Sequence, residues 1–379
     1  MKTIICHSFP AWDTPYVKST VELMKRLSGQ YRVIFVDYHY TWKDLFSNPS
    51  ACWKRLLGIQ NRWRQINTRF GTIEVYQSPP VLPINWVNQI WLFRLLAMVN
   101  AFLVKGTIHR VNKRVNPEDT VLVNAFNPVY GKLTHKAWQV SRTVYYCYDE
   151  ISGTEWSGKW GARYEQEYLK MVDQVICSSS QLQRVKGVAN PNCTHVPNGV
   201  DLTVFDEAPL TKTKNQVIGY IGALDNRIDT ALIHEMAKKL PGYEFQLVGP
   251  IKSSVLEKEL DSLPNVKLLG SKPQSDLPAY IAEMDLCIIP FVKNSLTAAI
   301  YPLKINEYLA MGKPVISTDF SDLSDFSGFV SIAESKEAFI QAIQRELKGN
   351  TRLRIQKRIS FAKKNGWESR AESFARLIA

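Results

Sequence analysis

The chain has 379 residues, more than one hydrophobic core usually serves, so its length predicts two domains. Its composition, 45% hydrophobic and 22% charged, is that of a globular protein and excludes a disordered or low-complexity chain. The net charge of +12 admits a nucleic acid, an anionic membrane surface or an anionic substrate as partner.

The N-terminal segment MKTIICHSFP contains an apolar run of only four residues, which predicts a first strand and not a signal peptide. The six cysteines are scattered and form no C-x-x-C pair, so neither a zinc ribbon nor a redox motif is predicted. Together these observations predict a cytoplasmic protein with reduced thiols.

The first half alternates short apolar strands with helical patterns. After the first strand come a helix over residues 16–27 and the strand YRVIFVDY, followed by the strands TVLVNAF, TVYYCYD and QVICSSS. The helical pattern WGARYEQEYLKMVD separates the last two strands. Strands that are apolar throughout are typical of a parallel sheet covered by helices on both faces. The first half therefore predicts a doubly wound α/β domain.

The segment from about residue 42 to residue 115 is basic and rich in tryptophan. From residue 43 onward it holds 11 Lys/Arg against two acids, and nine of the ten tryptophans lie in the first 160 residues. Residues 84–106, INWVNQIWLFRLLAMVNAFLVKG, are the most hydrophobic stretch of the chain. Their length would span a bilayer, but Asn88, Arg94 and Asn100 favour a buried or interfacial helix. A solvated basic face is the alternative interpretation of this segment.

Residues 195–205, HVPNGVDLTVF, combine turn-forming residues and predict a domain boundary. A second α/β series follows, with the strands QVIGYIG, YEFQLVGP, NVKLLG and DLCIIPF. The C-terminal segment FAKKNGWESRAESFARLIA predicts one final amphipathic helix. Two doubly wound domains in tandem, with a ligand between them, are the predicted architecture.

The stretch YPLKINEYLAMGKPVIST, residues 301–318, predicts a short helix followed by a strand. Pro302 suits the first helical position, and Gly312 suits the position after the last turn. Lys304 then lies in the first turn, where the helix dipole disfavours a cation unless an anion is bound. Glu307 follows three residues later on the same face.

The motifs of the second half, in this order and spacing, resemble those of GT-B glycosyltransferases. The closest resemblance is to bacterial group 1, family 4-like members that make cell-surface polysaccharides, and it covers nearly the whole chain. The motifs that carry it are VPNGVD (196–201), YIGALDNRID (220–229), LVGP (247–250), NVKLLG (265–270), DLCIIPF (285–291) and PLKINEYLAMGKPVIST (302–318).

The resemblance implies an α/β protein of two Rossmann-like doubly wound domains that face each other across a cleft. Residues 1–198 would bind the acceptor and residues 199–361 the nucleotide-sugar donor. The last helix, residues 362–379, would cross back and complete the N-terminal domain. The resemblance also implies that no metal and no cofactor is required beyond the nucleotide-sugar substrate.

One departure from the family pattern concerns the two glutamates that many group 1 members carry eight residues apart. Glu307 matches the second, but Ala299 occupies the position of the first. The P-L-K-x-x-E variant resembles a subgroup that includes the xanthan-pathway glucuronosyltransferase. In that subgroup the lysine contacts donor phosphate and an aspartate after an N-domain strand is the base, which implies these roles for Lys304 and Asp149.

The resemblance implies a set of donor contacts in the second domain. Arg227 follows the Gly219-x-x-Gly222 turn, where the family usually has a basic residue that contacts phosphate. Glu307 would accept hydrogen bonds from the ribose hydroxyls. A solvated arginine, an exposed first-turn lysine and a Lys304–Glu307 ion pair are the alternatives. The donor candidates are Gly222, Arg227, Gly249, Lys272, Tyr301, Lys304 and Glu307.

Asp149 is the candidate general base because it follows the apolar VYYCY at the carboxyl end of a strand. Glu150 is its nearest competitor, and helix capping is the alternative role for Asp149. His7 and Trp12 are further candidates for contacts with the acceptor or the cleft, although His7 also suits a structural role.

With these candidates, the resemblance implies transfer of a sugar from a UDP-sugar to a saccharide or a polyprenyl-linked saccharide. A carboxylate base in the acceptor domain favours inversion over retention. The basic, tryptophan-rich segment predicts peripheral binding to the inner face of the plasma membrane. A nucleotide-sugar epimerase of the same fold is one alternative. A basic nucleic-acid-binding protein is the other, but no nucleic-acid-binding signature is present.

Overall fold

The computed structural model divides the chain into two compact units. Unit 1 is Met1–Pro197 with Arg370–Ala379, and unit 2 is Asn198–Ser369. The sequence placed the boundary after residue 198 and the return to the first domain at residue 362, whereas the chain returns at Arg370. The structure describes residues 1–13, 18–44, 53–153, 159–205 and 216–379.

Unit 1 contains an eight-stranded sheet of order β3-β4-β2-β1-β5-β6-β7-β8. The strands are β1 (Thr3–Ser8), β2 (Arg32–Val36), β3 (Trp63–Asn67), β4 (Thr72–Tyr76), β5 (Thr120–Ala125), β6 (Arg142–Cys147), β7 (Gln174–Cys177) and β8 (Cys193–His195). Neighbouring strands are parallel except β3, which runs antiparallel to β4. Because β1 pairs with both β2 and β5, the sheet has a topological switch point beside β1.

The helices of unit 1 cover the apolar strands that the sequence predicted. They are α1 (Ser19–Leu27), α2 (Trp53–Leu56), α3 (Ile90–Asn112), α4 (Pro128–Thr134), α5 (Gly161–Leu169) and α6 (Ser180–Gly187). The predicted start of α1, at residue 16, lies outside the described residues. Val104, Ile108 and Val111 of α3 pack against Ile5 and Ile34, so α3 closes one face of the sheet.

Helix α3 is the helix predicted over residues 84–106, but it begins at Ile90. In the part of the chain described by the structure, it is the one helix long and apolar enough to cross a membrane. A third of its most apolar window is buried inside the protein, and core helices of soluble proteins meet the same criterion. The contacts of α3, and not its composition, therefore decide its role.

Unit 2 contains a six-stranded parallel sheet of order β11-β10-β9-β12-β13-β14, the order of Rossmann-type sheets. The strands are β9 (Val217–Ile221), β10 (Glu244–Val248), β11 (Val266–Gly270), β12 (Leu286–Ile289), β13 (Val315–Thr318) and β14 (Val330–Ala333). The switch point lies between β9 and β12, where open α/β sheets bind ligands.

The helices of unit 2 include the predicted helix of the PLKINEYLAMGKPVIST motif, and Gly312 follows that helix with a φ of +71°. They are α7 (Thr230–Lys239), α8 (Ser254–Asp261), α9 (Leu277–Glu283), α10 (Ser295–Ala298), α11 (Leu303–Ala310), α12 (Lys336–Lys348) and α13 (Arg352–Lys364). Pro302 is the N-cap of α11 and not its first helical residue.

The prediction of one final helix was wrong, because the C-terminal segment contains the end of α13 and a separate α14 (Trp367–Ile378). The break has a physical cause in the backbone of the preceding domain boundary. The amide of Val200 donates to the carbonyl of Asn365, and the amide of Trp367 donates to the carbonyl of Val200. These two hydrogen bonds use the carbonyl of Asn365 and the amide of Trp367, which would pair within the helix if it were continuous.

Candidate functional site

The first cluster of candidates lies in unit 2, where β9 and β10 end. Gly222 follows β9 with a φ of +149°, and Gly249 follows β10 with a φ of +150°. A Cβ atom on Gly249 would overlap the carbonyl of Gly222, and a Cβ atom on Gly222 would overlap the side chain of Lys304. Both positions therefore require glycine, and they bring Lys304 against the backbone of the strand ends.

Helix α11 holds Lys304 in this place through its buried face. Ile305 and Leu309 are fully buried in the core of unit 2, so Lys304 and Glu307 lie on the opposite side of the helix. The hydroxyl of Tyr308 accepts a hydrogen bond of 2.7 Å from the amide of Ile221, the last residue of β9. This bond ties the helix to the end of the strand that Gly222 follows.

Lys304 is partly buried, and in the described chain its ammonium makes neither a hydrogen bond nor an ion pair. Burial lowers its pKa from the ordinary value, and the nearby charge of Arg227 lowers it further, while Glu307 and Asp225 oppose this shift. A cation under these conditions is stabilised by a bound anion. A partly buried cation without an ion pair in the described residues thus lies beside Gly222.

Glu307 lies one turn further along α11 and is also partly buried. Burial raises the pKa of its carboxyl, and the charge of Lys304 offsets part of that shift. Within the described residues the carboxylate has no hydrogen bond, and the alternative Lys304–Glu307 ion pair is not formed. Its acceptor capacity is therefore available to a ligand.

Tyr301 precedes α11, and its environment is that of a packed core residue. Its hydroxyl accepts a hydrogen bond of 3.1 Å from the side-chain Nδ2 of Asn306, and its ring lies 5.2 Å from the ring of Phe326. These contacts stabilise the entry into α11. They support a positioning role for Tyr301 next to Lys304.

Arg227 forms a bidentate pair with Asp225, a residue that the sequence analysis missed. The two hydrogen bonds measure 2.8 Å from Nε and 2.6 Å from a terminal nitrogen, and the guanidinium lies 5.6 Å from the ring of Phe291. Burial opposes ionisation of Asp225, but the hydrogen bonds and charge of Arg227 hold its pKa below the ordinary value. Arg227 is thus fixed in orientation and is not a solvated loop residue.

The Arg227 loop is joined to the strand on the other side of the switch point. The amide of Val292 donates to the carbonyl of Arg227, and the amide of Asp229 donates to the carbonyl of Pro290. Both partners follow β12. Gly222, Arg227 and Lys304 therefore surround the switch point of the unit 2 sheet.

Lys272 follows β11 and lies apart from this cluster by its contacts. Its ammonium is 5.5 Å from the centre of the Tyr280 ring. In the described part of the chain, neither a hydrogen bond nor an ion pair joins it to Arg227, Lys304 or Glu307. Among the same residues no group of three or more His, Cys, Asp or Glu side chains is arranged to hold a metal ion.

Asp149 lies in unit 1, two residues after β6, and is half-buried. Its Oδ1 accepts a hydrogen bond of 2.8 Å from the amide of Glu150, which orients the carboxylate. Its charge raises the pKa of Lys18, although burial lowers that pKa more strongly. Asp149 is therefore a carboxylate at the carboxyl edge of the sheet, as the sequence predicted.

Glu150 is engaged in a buried ion-pair network. It pairs with Lys186 at 2.8 Å, and Lys186 also pairs with Glu165 at 2.7 Å. The hydroxyl of Tyr145 donates to Glu165. Burial of Glu150 opposes its ionisation, but the charge and hydrogen bond of Lys186 hold its pKa below the ordinary value. These contacts make Glu150 a structural anion.

His7 is fully buried at the end of β1 and contacts a second histidine that the sequence analysis did not select. Its Nε2 lies 2.7 Å from Nε2 of His39, and the amide nitrogen of Asn127 lies 3.5 Å from the same atom. Burial lowers the pKa of both imidazoles, that of His39 to about 4. His7 therefore contacts His39, and His39 in turn lines a cavity in unit 1.

Trp12 is held by Asp37, which directly follows β2. The amide of Trp12 donates to Asp37 at 2.8 Å, and the amide of Tyr38 donates to the same oxygen at 2.9 Å. Burial raises the pKa of Asp37 to about 6, and these two backbone hydrogen bonds limit the shift. The carboxyl of Asp37 thus organises the loop at the carboxyl edge of the unit 1 sheet.

The stability of the chain is expected to depend on pH through Asp37. Between about pH 4 and pH 6 the folded state binds more protons than the unfolded state, so the free energy of unfolding falls as pH rises. The free energy of unfolding of the wild type minus that of Asp37→Asn should fall by about 2–3 kcal/mol over this range.

Chemical denaturation at several pH values measures this difference. Asp13→Asn is the matched control for loss of an Arg64 partner, because Asp13 contacts Arg64 at 2.6 Å but is exposed. A difference between wild type and Asp37→Asn that is constant with pH would contradict the assignment.

A cavity of about 480 Å³ lies at the same edge of unit 1, beside the β1 switch point. Its wall contains aromatic, aliphatic and polar side chains. Phe126, one of its lining residues, has a φ of +57°, a backbone conformation that bulky residues rarely adopt. The principal lining residues are Tyr38, His39, Thr41, Lys43, Asp44, Ile84, Trp86, Phe126, Asn127, Tyr130 and Ile151.

Comparison with known sequences finds a family match within unit 2. Residues 215–348 match the family described as Glycosyl transferases group 1. The chain is 32% identical over 173 residues to a putative teichuronic acid biosynthesis glycosyltransferase, TuaH, of Bacillus subtilis, covering 42% of this chain and 44% of that protein. It is 30% identical over 94 residues to the amylovoran biosynthesis glycosyltransferase AmsK of Erwinia amylovora, covering 22% of each. The chain thus matches less than half the length of these relatives.

Solved structures resemble the whole chain at low sequence identity. A sucrose-phosphate synthase from Thermosynechococcus elongatus superposes with a TM-score of 0.73 at 15% identity, covering 100% of this chain and 98% of that one. HepE of Anabaena, in complex with UDP, superposes with a TM-score of 0.65 at 16% identity and 99% coverage of both. The chain therefore has the GT-B fold, and residues 215–348 are similar to the group 1 glycosyltransferases.

Proposed function

We propose that the chain is a glycosyltransferase that moves a sugar from a UDP-sugar to a saccharide acceptor in the synthesis of a cell-surface polysaccharide. The observation that carries the proposal is the partly buried Lys304, without an ion pair in the described chain, at the switch point of a group 1 glycosyltransferase segment. The relatives named for teichuronic acid and amylovoran synthesis support the product class.

The donor binds unit 2 in this proposal. Its diphosphate lies against the glycine backbone at the ends of β9 and β10, where Lys304 and Arg227 neutralise the developing charge of the leaving group. Glu307 accepts hydrogen bonds from the ribose hydroxyls. Lys304 and Arg227 supply this positive charge without a metal ion, and no other cofactor is needed. UDP is the proposed nucleotide because the structural neighbour HepE was solved with it.

The acceptor binds unit 1 in this proposal, with its sugar in the 480 Å³ cavity and its attacking hydroxyl near Asp149. A saccharide suits the cavity because aromatic rings, such as that of Trp86, pack on sugar faces while Asp44 and Asn127 offer hydrogen bonds. Asp149 takes the proton of the hydroxyl, and direct displacement inverts the anomeric carbon.

The acceptor saccharide is carried on a polyprenyl lipid in this proposal, so the protein works as a peripheral protein at the inner face of the plasma membrane. The basic, tryptophan-rich segment supports this placement, since 11 Lys/Arg stand against two acids from residue 43 to residue 115. Anionic headgroups attract such a segment.

A panel of nucleotides in a thermal-shift assay identifies the donor base, because a ligand that binds the native state raises its apparent stability. The chain is then incubated with the matching nucleotide-sugar, with and without a saccharide acceptor. Release of the nucleoside diphosphate only when acceptor is present supports a transferase. Conversion of the donor sugar without acceptor would instead identify an epimerase, and stabilisation by no nucleotide would reject the proposal.

A further inference from the structure

Helix α3 presents an apolar stripe to solvent. Trp91, Leu95, Met98 and Phe102 are spaced four, three and four residues apart, so they lie on one face of the helix. All four are exposed, and Phe102 reaches 77% of its full accessible area. An exposed apolar stripe of this length on a folded unit indicates a binding surface.

The opposite face of α3 is locked into unit 1. Phe93 and Ala97 pack against Ile84 and Val87 of the preceding loop. Asn100 accepts a hydrogen bond from the amide of Leu82 and donates one to its carbonyl, at 2.8 and 2.9 Å. A transmembrane position would require these contacts to break, so the stripe suits insertion into one face of a bilayer.

The charge around the stripe identifies the partner. Residues 75–117 contain five Lys/Arg and no Asp or Glu. Arg94 and Lys105 are exposed and lie beside the stripe on the helix surface. We propose that this face of α3, together with Trp86, is a membrane-binding surface that lies in the interface of an anionic bilayer.

The purpose of this surface would be to capture a lipid-carried acceptor, and this part of the inference rests on the proposed function. Trp86 is 66% exposed and also lines the cavity of unit 1, and its indole nitrogen donates to the carbonyl of Pro83. In this inference Trp86 links the cavity to the membrane-binding surface. With that surface in the interface, the saccharide head of a membrane lipid reaches the cavity while its lipid tail stays in the bilayer.

Vesicle sedimentation with the full chain tests the inference. The vesicles contain phosphatidylcholine alone or phosphatidylcholine with phosphatidylglycerol, at low and high salt. The wild type should bind the anionic vesicles and lose part of this binding at high salt. The partition coefficient of the double variant Trp91→Gln/Phe102→Gln into the anionic vesicles should be lower than that of the wild type by a factor of about ten or more.

The matched control is Val188→Gln/Leu353→Gln, which removes two exposed apolar side chains that are not part of α3 and should bind vesicles like the wild type. Chemical denaturation without ligand checks that each variant is folded. Unchanged vesicle binding by the α3 variant would overturn the inference. The inference would also be overturned if the wild type is a dimer that binds no vesicles and the α3 variant is a monomer, because a second copy would then cover the stripe.

Transfer to a water-soluble saccharide separates this inference from the proposed function. If the wild type transfers sugar to the soluble acceptor but does not bind anionic vesicles, the inference fails and the proposed function stands. If it binds vesicles through α3 but transfers no sugar, the membrane-binding surface stands and the proposed function fails.

Discussion

Replacing Lys304 by alanine is expected to weaken UDP binding by about 10- to 100-fold, the range that loss of one charge-assisted hydrogen bond produces. The ammonium has no other partner in the described chain, so the variant loses a contact to the ligand and none to the protein. Burial already lowers the pKa of Lys304, so the unliganded variant should be as stable as the wild type or slightly more stable. Titration calorimetry with UDP and chemical denaturation without ligand measure the two effects.

Lys258→Ala is the matched control, because Lys258 is an exposed helical lysine of the same unit. It should leave both UDP affinity and stability unchanged. Wild-type affinity in Lys304→Ala would show that the diphosphate binds elsewhere. A marked loss of stability in the unliganded variant would instead assign Lys304 a structural role.

The two doubly wound sheets could be predicted because their central strands are buried on both faces. The run Ile4–Cys6 within β1 and the strand Leu286–Ile289 then consist of apolar residues without interruption, a pattern that few other elements share. The hairpin of β3 and β4 was missed for the opposite reason. Trp63–Asn67 lies at the sheet edge, is half exposed and reads as a polar segment.

Elements whose boundaries depend on distant backbone contacts could not be predicted. The break between α13 and α14 depends on Val200, more than 160 residues away in the chain, which bridges to Gly366. No local signal in FAKKNGWESRAESF replaces that contact, since each half has an acceptable helical pattern. Tertiary contacts here override local propensity.

The candidate site shows the same division between local and distant signals. The helix-end position of Lys304 and the glycine at position 222 were local signals, and the structure brings the two together. Asp225 lies only two residues from Arg227, and its pairing could have been inferred from that spacing. Asp37 and His39 follow a strand end just as Asp149 does, so the rule that selected Asp149 applied equally to them.

Two neighbouring carboxylates after β6 have different environments, which is the basis for assigning them different roles. Glu150 faces Lys186, a lysine with only 1% of its side chain exposed, and completes a buried ion-pair network with Glu165. Asp149 is oriented by the amide of Glu150 and stays half-buried at the sheet edge. A buried Lys186 without an ion pair would lower the stability of the fold, so we assign Glu150 a structural role.

Asp149→Asn is therefore expected to lower the rate of sugar transfer by about 10²- to 10⁴-fold, the usual contribution of a general base. The amide keeps the hydrogen bond to the Glu150 backbone but cannot accept the proton of the acceptor hydroxyl. UDP affinity should be unchanged, because the proposed donor contacts all lie in unit 2. Steady-state transfer kinetics and UDP titration measure the two quantities separately.

Glu150→Gln is the neighbouring control, and it should give the inverse pattern. Loss of its charge weakens the pair with Lys186 and should lower the free energy of unfolding by about 1–3 kcal/mol. Transfer by the folded fraction should continue, because Lys186 keeps Glu165 and Asp149 keeps the backbone amide that orients it. If Asp149→Asn retains wild-type turnover while Glu150→Gln loses it, the roles of the two carboxylates are reversed. The ion pair with Lys186 would then be part of the catalytic site rather than of the core.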